Sequence, residues 1–296
     1  MKQLKGILPP ITTPFIKGEL SIEKLEFNIS KWNSTSLSGY VVMGSNGESV
    51  LLTRDEKLKL IEAAKKFASE EKLLIAGTGS DSIKETINLT NDSAKLGVDY
   101  ALVLTPSFYK SEMKHEAFVK YFSLVADSTD IPIIIYNVPK FTGVDIETET
   151  VLELSKHQNI AGIKNSTENI RQIIEFVSKT KNEFNVLVGT ASMLYSGFTS
   201  GAVGGIVALA NIAPKETVQI HEFVNQGNLI DALSLQQKMI PINKAVTSKF
   251  GVAGLKAAMD LLGYYGGDPR VPLAPLNELN KNILINILKD SGLLNN

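Results

Sequence analysis

Short apolar runs alternate with amphipathic stretches along most of the chain. Each run is too short for a helix and is bounded by residues that favour turns, which indicates a buried strand. Between the runs, apolar and charged positions separate to opposite faces at helical spacing, as they do around Leu58, Ile61, Glu62 and Lys65. The predicted strands cover residues 6–11, 39–43, 73–76, 100–104, 132–136, 160–164, 186–188 and 205–209.

Eight strands, separated by helical stretches, favour a (β/α)8 TIM barrel, in which functional residues lie at the C-terminal ends of the strands. Two helix starts are predicted from capping residues: Thr53, which forms a capping box with Glu56, and Asp81. A doubly wound open sheet is the alternative. It ranks second because no Gly-x-Gly-x-x-Gly segment opens a helix after the first predicted strand.

Beyond about residue 212 the pattern predicts helices alone, at 215–226, 228–249, 252–262 and 276–293. The first of these helices closes the barrel, and the later three form an addition to it. We therefore expect a catalytic barrel over residues 1–224 and a C-terminal helical extension over residues 225–296.

Composition narrows the classes of function. With 296 residues, of which 44% are hydrophobic, the chain can bury a large core. A net charge of −1 without a basic stripe argues against nucleic acid or a membrane surface as a partner. The chain has no cysteine, and its three histidines lie outside the predicted strand ends, which argues against a metal site or a histidine-based hydrolase. No segment resembles a signal peptide or a membrane span, so we expect a cytoplasmic protein.

One predicted strand ends in a charge. Residues 160–164 are apolar except for Lys164, which stands where the strand meets its loop. An ammonium group in such a place is unfavourable unless it loses its proton, and the neutral amine is a nucleophile. The same pattern is also explained without a catalytic role, by a lysine that extends to the rim of the sheet or that pairs with an acid such as Glu168.

The predicted C-terminal strand ends are rich in hydroxyl groups and glycine, and Lys164 is the only cation at any of them. A lone lysine among phenols and hydroxyl groups suits imine formation with a carbonyl substrate, with the phenols moving protons. The residues at these ends include Thr13, Gly44, Ser45, Asn46, Gly47, Thr78, Thr105, Tyr109, Tyr136, Lys164, Ser166, Gly189 and Thr190.

Three segments, in this order, resemble the motifs of the dihydrodipicolinate synthase / N-acetylneuraminate lyase family of pyruvate-dependent, imine-forming barrel enzymes, the class I aldolases. They are Gly44-Ser45-Asn46-Gly47-Glu48, Tyr136-Asn137-Val138-Pro139 and Gly162-Ile163-Lys164-Asn165-Ser166. The resemblance spans nearly the whole chain. Within the family, residues 201–205 and 250–256 look most similar to the 4-hydroxy-2-oxoglutarate aldolases.

The resemblance implies four catalytic residues. Lys164 corresponds to the lysine that forms the imine with pyruvate, Tyr136 to the phenol that shuttles protons, and Ser45 to the hydroxyl group that holds this phenol. Tyr109 corresponds to a third member of the relay, which reaches into the site of a neighbouring subunit. Phe108 is the alternative for that position, and its ring could transfer no proton.

Substrate contacts are expected at the same strand ends. Successive backbone N–H groups in a glycine-rich turn form a concave anion site, which suits the carboxylate of pyruvate, although such a turn also occurs without a ligand. A phosphate cradle at 201–205 is the less favoured alternative for that loop, because it lacks a lysine or arginine. The expected binding residues are Gly44, Ser45, Asn46, Gly47, Ser166, Gly189 and Ile206, the last through its carbonyl group.

The aldehyde partner is predicted from Phe141. Dihydrodipicolinate synthases typically carry an arginine at the matching position, and a phenyl ring cannot make its bidentate contact with a carboxylate. Lys140 is a flexible point charge and a poor replacement. A short aldehyde such as glyoxylate therefore fits better than aspartate semialdehyde.

The expected reaction is the reversible cleavage of 4-hydroxy-2-oxoglutarate to pyruvate and glyoxylate, with no cofactor beyond the covalent imine at Lys164. The alternatives are dihydrodipicolinate synthase, then a 2-keto-3-deoxy sugar acid aldolase or N-acetylneuraminate lyase. A pyruvate-binding regulatory barrel without turnover is the rival that is not an enzyme. The resemblance also implies a homotetramer, built as a dimer of dimers.

Overall fold

The computed structural model describes residues 2–181 and 183–295, and within them eight parallel strands form a barrel. Each strand is followed by helical structure, so the TIM-barrel prediction is confirmed. The strands are β1 (Gly6–Leu8), β2 (Gly39–Val42), β3 (Leu73–Gly77), β4 (Tyr100–Leu104), β5 (Ile133–Asn137), β6 (Ile160–Asn165), β7 (Asn185–Val188) and β8 (Gly204–Ile206).

The strands follow one another in chain order, and β1 pairs with β8. The remaining seam, between β1 and β2, closes just beyond β1. There Val41 N–H donates to the carbonyl of Pro9 at 3.0 Å and Ile11 N–H donates to the carbonyl of Val41 at 2.9 Å. The strand β1 is shorter than predicted because Pro9 and Pro10 have no N–H to donate to a ladder.

The outer helices begin and end at residues with capping chemistry. Thr53 and Glu56 form the predicted capping box at the start of α2. The prediction for Asp81 is wrong, because the neighbouring Ser82 caps α3 and accepts from the N–H of Glu85. The helices are α1 (Ile22–Asn33), α2 (Arg54–Phe67), α3 (Ile83–Lys95), α4 (His115–Asp127), α5 (Thr148–Leu154), α6 (Ile170–Lys179), α7 (Leu194–Thr199), α8 (Pro214–Asn225), α9 (Leu229–Lys244), α10 (Gly251–Leu261) and α11 (Glu278–Asp290); a one-turn helix also covers Pro139–Thr142.

The last three helices form the predicted extension, and a π-helical turn over Ala245–Lys249 joins α9 to α10. Met239, Leu255 and Leu284, one from each helix, are buried in the same apolar core as the barrel helices. The extension is therefore packed against the barrel without a separate core. The boundary predicted at residues 224 and 225 stays a prediction.

The sheet separates two apolar cores. The larger lies between the strands and the outer helices, and the smaller fills the barrel interior with residues such as Val41, Ile75, Ile134 and Leu187. A short hairpin of Phe15–Ile16 and Glu19–Leu20, which was not predicted, follows β1. In the part of the chain described here, no helix combines the length and apolar character needed to cross a membrane.

Candidate active site

Tyr136 on β5 and Lys164 on β6 are direct partners in the parallel ladder. Partners in register point to the same face of a sheet, so both side chains point to the barrel interior. Lys164 is only 2% exposed, and its Nζ lies 3.9 Å from the centre of the Tyr136 ring. Among the described residues no carboxylate lies within ion-pair distance of this amine, so the interpretation of Lys164 as a partner of Glu168 is wrong.

The next residue in each of the two strands, Asn137 and Asn165, fixes this arrangement. Asn137 and Asn165 are completely buried, and Asn137 Nδ2 donates to Asn165 Oδ1 at 2.9 Å. Asn137 Nδ2 also donates to Asp145 at 2.6 Å, and Asn165 Nδ2 donates to Gln172 at 2.8 Å. Buried amides with satisfied partners hold a unique geometry. The ends of β5 and β6 are therefore tied together directly beside Tyr136 and Lys164.

Ser45 approaches the phenol from the loop after β2. Its Oγ lies 3.2 Å from the Tyr136 hydroxyl group, and either oxygen can be the donor. Ser45 opens a single turn of 3-10 helix, Ser45–Gly47, whose first N–H groups have no partner within the turn. No acceptor for the N–H of Ser45 or Asn46 is present among the described residues. The turn thus presents a hydroxyl group and two free N–H groups beside Lys164.

These groups meet at a cavity of about 790 Å³ at the C-terminal end of the barrel. Its wall combines strand ends with parts of the C-terminal extension, and Lys140, Phe141 and Lys244 lie at exposed positions on it. The lining residues include Pro10, Ser45, Asn46, Tyr136, Val138, Lys140, Phe141, Lys164, Ser166, Glu168, Gly189, Thr190, Ser192, Lys244, Thr247, Ser248 and Val252.

Ser166 and Gly189 form the floor of this cavity beside Lys164. The Oγ of Ser166 is buried and has no hydrogen-bond partner in the described part of the chain, so it is free to bind a ligand. A Cβ atom at Gly189 would lie 1.9 Å from that oxygen and 2.8 Å from the Cα of Ser166. Gly189 is therefore required for Ser166 to occupy this position.

Some predicted site residues are not brought to the cavity within one chain. Tyr109 is 70% exposed and Phe108 is 78% exposed, with their rings edge to face at 5.1 Å. Asp81 holds this loop by accepting from the N–H groups of Ser107 and Phe108. Among the described residues, the cavity wall does not include either ring, so a contact of Tyr109 with the site requires another subunit and stays a prediction.

Three other predicted binding residues, Gly44, Gly47 and Ile206, are not among the described residues that line the large cavity. Gly47 is buried, and its carbonyl accepts from Thr13 Oγ1, which holds the turn from below. Gly44 lines a smaller cavity of about 290 Å³, whose wall also includes Ser45 and Tyr136. Ile206 ends β8 and packs inside the barrel, and within the described chain it is not part of the large cavity's wall.

Sequence reasoning missed the contribution of the extension. Asn243 is 2% exposed and donates to Ser192 Oγ at 2.8 Å, while its own Oδ1 has no partner among the described residues. Lys244 and Thr247 line the cavity mouth, and the carbonyl of Thr247 accepts from Lys140 at 3.0 Å. These residues follow a helical pattern that gives no sign of the barrel mouth beneath them.

The acidic and histidine side chains give no indication of a metal centre. In residues 2–181 and 183–295, no group of three or more such side chains is placed to hold a metal ion. The expectation that the protein needs neither a metal nor an organic cofactor stays a prediction.

Comparison with known proteins agrees with this architecture. The model of the dihydrodipicolinate synthetase family matches residues 3–291. A protein of Methanococcus maripaludis named 4-hydroxy-tetrahydrodipicolinate synthase is 34% identical over 292 residues, which cover 98% of this chain and 100% of that protein. The crystal structure of dihydrodipicolinate synthase from Thermotoga maritima superposes with a TM-score of 0.93 at 31% identity, covering 98% of this chain and 99% of that one.

A further solved structure, described as the first monomeric dihydrodipicolinate synthase variant, also gives a TM-score of 0.93 at 31% identity and covers 98% of each chain. The similarity to 4-hydroxy-2-oxoglutarate aldolases inferred from residues 201–205 and 250–256 is not supported, because the relatives found are named as synthases. The interpretation as a barrel without turnover is not supported either. The chain belongs to the dihydrodipicolinate synthetase family, and with it to the pyruvate-dependent aldolases that act through a lysine imine.

Proposed function

We propose that the chain condenses pyruvate with aspartate semialdehyde through an imine at Lys164. The observation that carries the imine step is the placement of Lys164, which is 2% exposed, has no carboxylate partner among the described residues and lies over the Tyr136 ring. A buried amine without an ion-pair partner, facing a cavity, is placed to act as a nucleophile on a carbonyl substrate.

The carboxylate of pyruvate fits the turn after β2. The free N–H groups of Ser45 and Asn46 form an anion site on one wall of the cavity that Lys164 also lines. A carboxylate held there leaves the keto carbon of pyruvate to the amine. No arginine is required for this contact, because the backbone supplies the donors.

Each bond made or broken at carbon is then accompanied by a proton transfer. The amine of Lys164 adds to the keto carbon, and water leaves with a proton supplied through Tyr136. The protonated imine draws electrons from the bond between C3 and its hydrogen, the Tyr136 oxygen accepts the C3 proton, and the enamine forms. The enamine carbon attacks the aldehyde, whose oxygen takes a proton from the Tyr136 hydroxyl group, and Ser45 holds this group at 3.2 Å. The amino group of aspartate semialdehyde then displaces Lys164 and closes a ring.

Two facts support aspartate semialdehyde as the aldehyde. The matched relatives carry the synthase name, and this aldehyde has a carboxylate at its far end. Lys140 and Lys244, both at exposed positions, line the cavity mouth and supply positive charge to such a group. The exposed Glu168 also lines the cavity and leaves a surplus of one positive charge among these three residues.

A second candidate is the cleavage of 4-hydroxy-2-oxoglutarate to pyruvate and glyoxylate. Phe141 favours it, because this ring lies on the cavity wall and cannot form the paired hydrogen bonds of an arginine with a distal carboxylate. Glyoxylate is shorter than aspartate semialdehyde and places its carboxylate closer to the reacting carbon.

A substrate panel decides between the two candidates. Pyruvate release from 4-hydroxy-2-oxoglutarate is measured beside condensation of pyruvate with aspartate semialdehyde, and kcat/KM is compared for the two reactions. The synthase proposal expects condensation to be at least tenfold faster, and it is wrong if cleavage is faster. Borohydride added with pyruvate tests the imine separately, since it fixes a mass on the peptide that contains Lys164.

We also propose a homotetramer in the cytoplasm. The exposed rings of Phe108 and Tyr109 are in contact and form one apolar patch. This patch supports a contact with a second copy, because contiguous exposed apolar surface is typical of interaction sites. The fold alone does not decide assembly, since one matched structure is described as a monomeric variant. Sedimentation of the purified chain tests the tetramer.

A further inference from the structure

The turn that carries Ser45 lies between two residues with unusual backbone conformation. Met43 has a φ of 57° and Glu48 a φ of 55°, so both lie in the left-handed region. Among the described residues, Lys17 is the only other residue besides glycine with a positive φ. Such conformations are unfavourable for residues with a Cβ atom and persist only where the surrounding structure holds them.

The carboxylate of Glu48 is bound by two groups from the C-terminal part of the chain, the ammonium group of Lys256 and the backbone N–H of Arg270. The side chain of Glu48 is completely buried, and its Oε1 lies 2.7 Å from the Nζ of Lys256 on α10, which is also completely buried. Its Oε2 accepts from the N–H of Arg270 at 2.7 Å. Lys256 Nζ also donates to the carbonyl of Asp268 at 3.0 Å and lies 4.6 Å from the centre of the Phe15 ring.

The energetics of such a pair favour a role in geometry over one in stability. Removing two charges from water costs about as much as their attraction returns, and apolar side chains of similar size often replace a buried pair without loss of stability. Burial lowers the pKa of Lys256, and the charge of Glu48 opposes this effect. A pair kept at this cost fixes one arrangement of the elements that it joins.

Neither charged residue touches the substrate cavity. Glu48 and Lys256 are absent from the part of its wall that the described residues form, so any effect on the reaction must pass through the turn. Glu48 directly follows Gly47, whose carbonyl is held by Thr13. The N–H of Glu48 also donates to the carbonyl of Ser45 at 3.2 Å. Displacing Glu48 therefore moves Ser45, which is in contact with Tyr136.

We propose that Glu48 and Lys256 are positioning residues for the imine chemistry. Their ion pair holds the turn from Met43 to Glu48, so that Ser45 Oγ meets Tyr136 and the N–H groups of Ser45 and Asn46 face the cavity. The extension thus takes part in the geometry of the catalytic end of the barrel. The effect acts before any aldehyde binds, so it is independent of which aldehyde the enzyme uses, although it rests on the proposed imine at Lys164.

The test uses pyruvate alone in deuterated water. Through the imine and enamine, pyruvate loses a C3 proton and gains a deuteron, and proton NMR follows the exchange. We expect Glu48→Gln and Lys256→Met to slow the exchange by about 10- to 100-fold, the effect of small displacements in an active site. The half-saturating concentration of pyruvate should also rise. Thermal melts followed by circular dichroism identify a temperature at which each variant is fully folded, and the exchange is measured there. Urea unfolding at that temperature gives the free energy of unfolding of each variant.

Lys72→Met is the matched control. Lys72 is also a buried lysine, at 8% exposure, and donates to the carbonyls of Thr35 at 2.9 Å and Leu37 at 2.8 Å. It directly precedes β3, at the end of the barrel opposite the cavity. This variant should lose stability and keep the exchange rate of the unchanged protein.

The double variant Glu48→Gln/Lys256→Met removes both charges and leaves neither one buried alone. We expect it to fold and still to exchange slowly, because the ion pair is absent. Exchange restored to within twofold of the unchanged protein would overturn the proposal, as would folded single variants with unchanged exchange and unchanged pyruvate saturation. Absence of exchange in the unchanged protein would instead overturn the role of Lys164, and this proposal with it.

Discussion

Asn137 and Asn165 join the ends of two neighbouring strands side chain to side chain, at 2.9 Å, one residue beyond Tyr136 and Lys164. Both amides are completely buried, and the second one also donates to Gln172. The register of the two candidate catalytic residues is therefore held by hydrogen bonds whose loss would leave buried amide groups with fewer partners. This relationship connects the packing of the barrel directly to its chemistry.

The first prediction concerns Asn165→Ala. It removes one hydrogen-bond partner from Asn137 and one from Gln172, and a buried polar group that loses a partner costs about 1–3 kcal/mol. We expect a lower free energy of unfolding, measured with urea, together with a kcat reduced at least tenfold because Lys164 is no longer fixed against Tyr136.

Asn159→Ala is the control for this prediction. Asn159 directly precedes β6, whereas Asn165 ends it. The Nδ2 of Asn159 donates to the carbonyls of Ala126 at 2.8 Å and Thr129 at 3.0 Å. This variant should lose stability but keep its kcat. Equal kcat values in the two variants would show that Asn165 is merely structural.

The second prediction separates imine formation from proton transfer. Tyr136→Phe keeps the ring over Lys164 but removes the hydroxyl group that Ser45 holds. We expect kcat to fall by about 10²- to 10⁴-fold, the usual contribution of a positioned acid or base, while borohydride still traps pyruvate, only more slowly. Tyr40→Phe is the control, because Tyr40 is a core tyrosine whose hydroxyl group donates to Asn33. A Tyr136→Phe variant with normal kcat would contradict the relay.

Sequence patterns predicted the eight strands and the lysine because each differs in polarity from the residues next to it in the chain. Lys164 is recognisable as the one charge in an apolar run, and the strands as apolar runs between turn residues. Local signals fail where two neighbours offer the same chemistry. Asp81 and Ser82 can both cap a helix, and only the structure shows that Asp81 binds the loop at Ser107.

Partners that are distant in sequence could not be predicted at all. Lys256 lies in a helical pattern that normally places a lysine in solvent, yet it is completely buried against Glu48. Lys244 likewise lines the cavity, and Asn243 contacts the lining residue Ser192, only because the extension folds over the barrel mouth. The hairpin at Phe15–Ile16 and Glu19–Leu20 is too short to produce a periodic signal.

The third prediction concerns Gly189→Ala. The new methyl group would overlap Ser166 Oγ at 1.9 Å and the backbone of the same residue at 2.8 Å. The end of β6 must move to accommodate it, so we expect a higher KM for pyruvate and a lower kcat. Gly197→Ala is the control, because its methyl group meets Val188 Cγ1 at 2.3 Å in the outer core. It should cost stability and leave KM unchanged, and similar kinetics in the two variants would contradict the prediction.

The fourth prediction concerns the pH dependence of stability. The hydrogen bond from Arg270 lowers the pKa of Glu56 from 4.5 to about 2. A carboxyl group with a lowered pKa in the folded state stabilises it above pH 4.5, and this contribution disappears as the pH falls towards 2. Glu56→Gln should therefore be less stable than the unchanged protein at pH 7, with a difference that shrinks below pH 4.5.

Urea unfolding midpoints, measured from pH 7 down to pH 3, check this prediction. Glu26→Gln is the control, since Glu26 is exposed and forms no ion pair within the described part of the chain. Its midpoint should follow that of the unchanged protein at every pH. A constant difference between Glu56→Gln and the unchanged protein over this range would show that the carboxylate of Glu56 does not carry the effect.

The last prediction addresses the aldehyde through Phe141, which is 62% exposed on the cavity wall beside Lys140. An arginine there can form paired hydrogen bonds with a distal carboxylate, and bonds to charged groups contribute about 1.5–3 kcal/mol. If Lys140 and Lys244 already bind aspartate semialdehyde, Phe141→Arg should raise kcat/KM for condensation no more than about tenfold. Phe141→Leu, the control for loss of the ring, should leave it nearly unchanged. A rise from undetectable condensation to a measurable rate would show that the natural site lacks the carboxylate contact, and would favour glyoxylate as the partner.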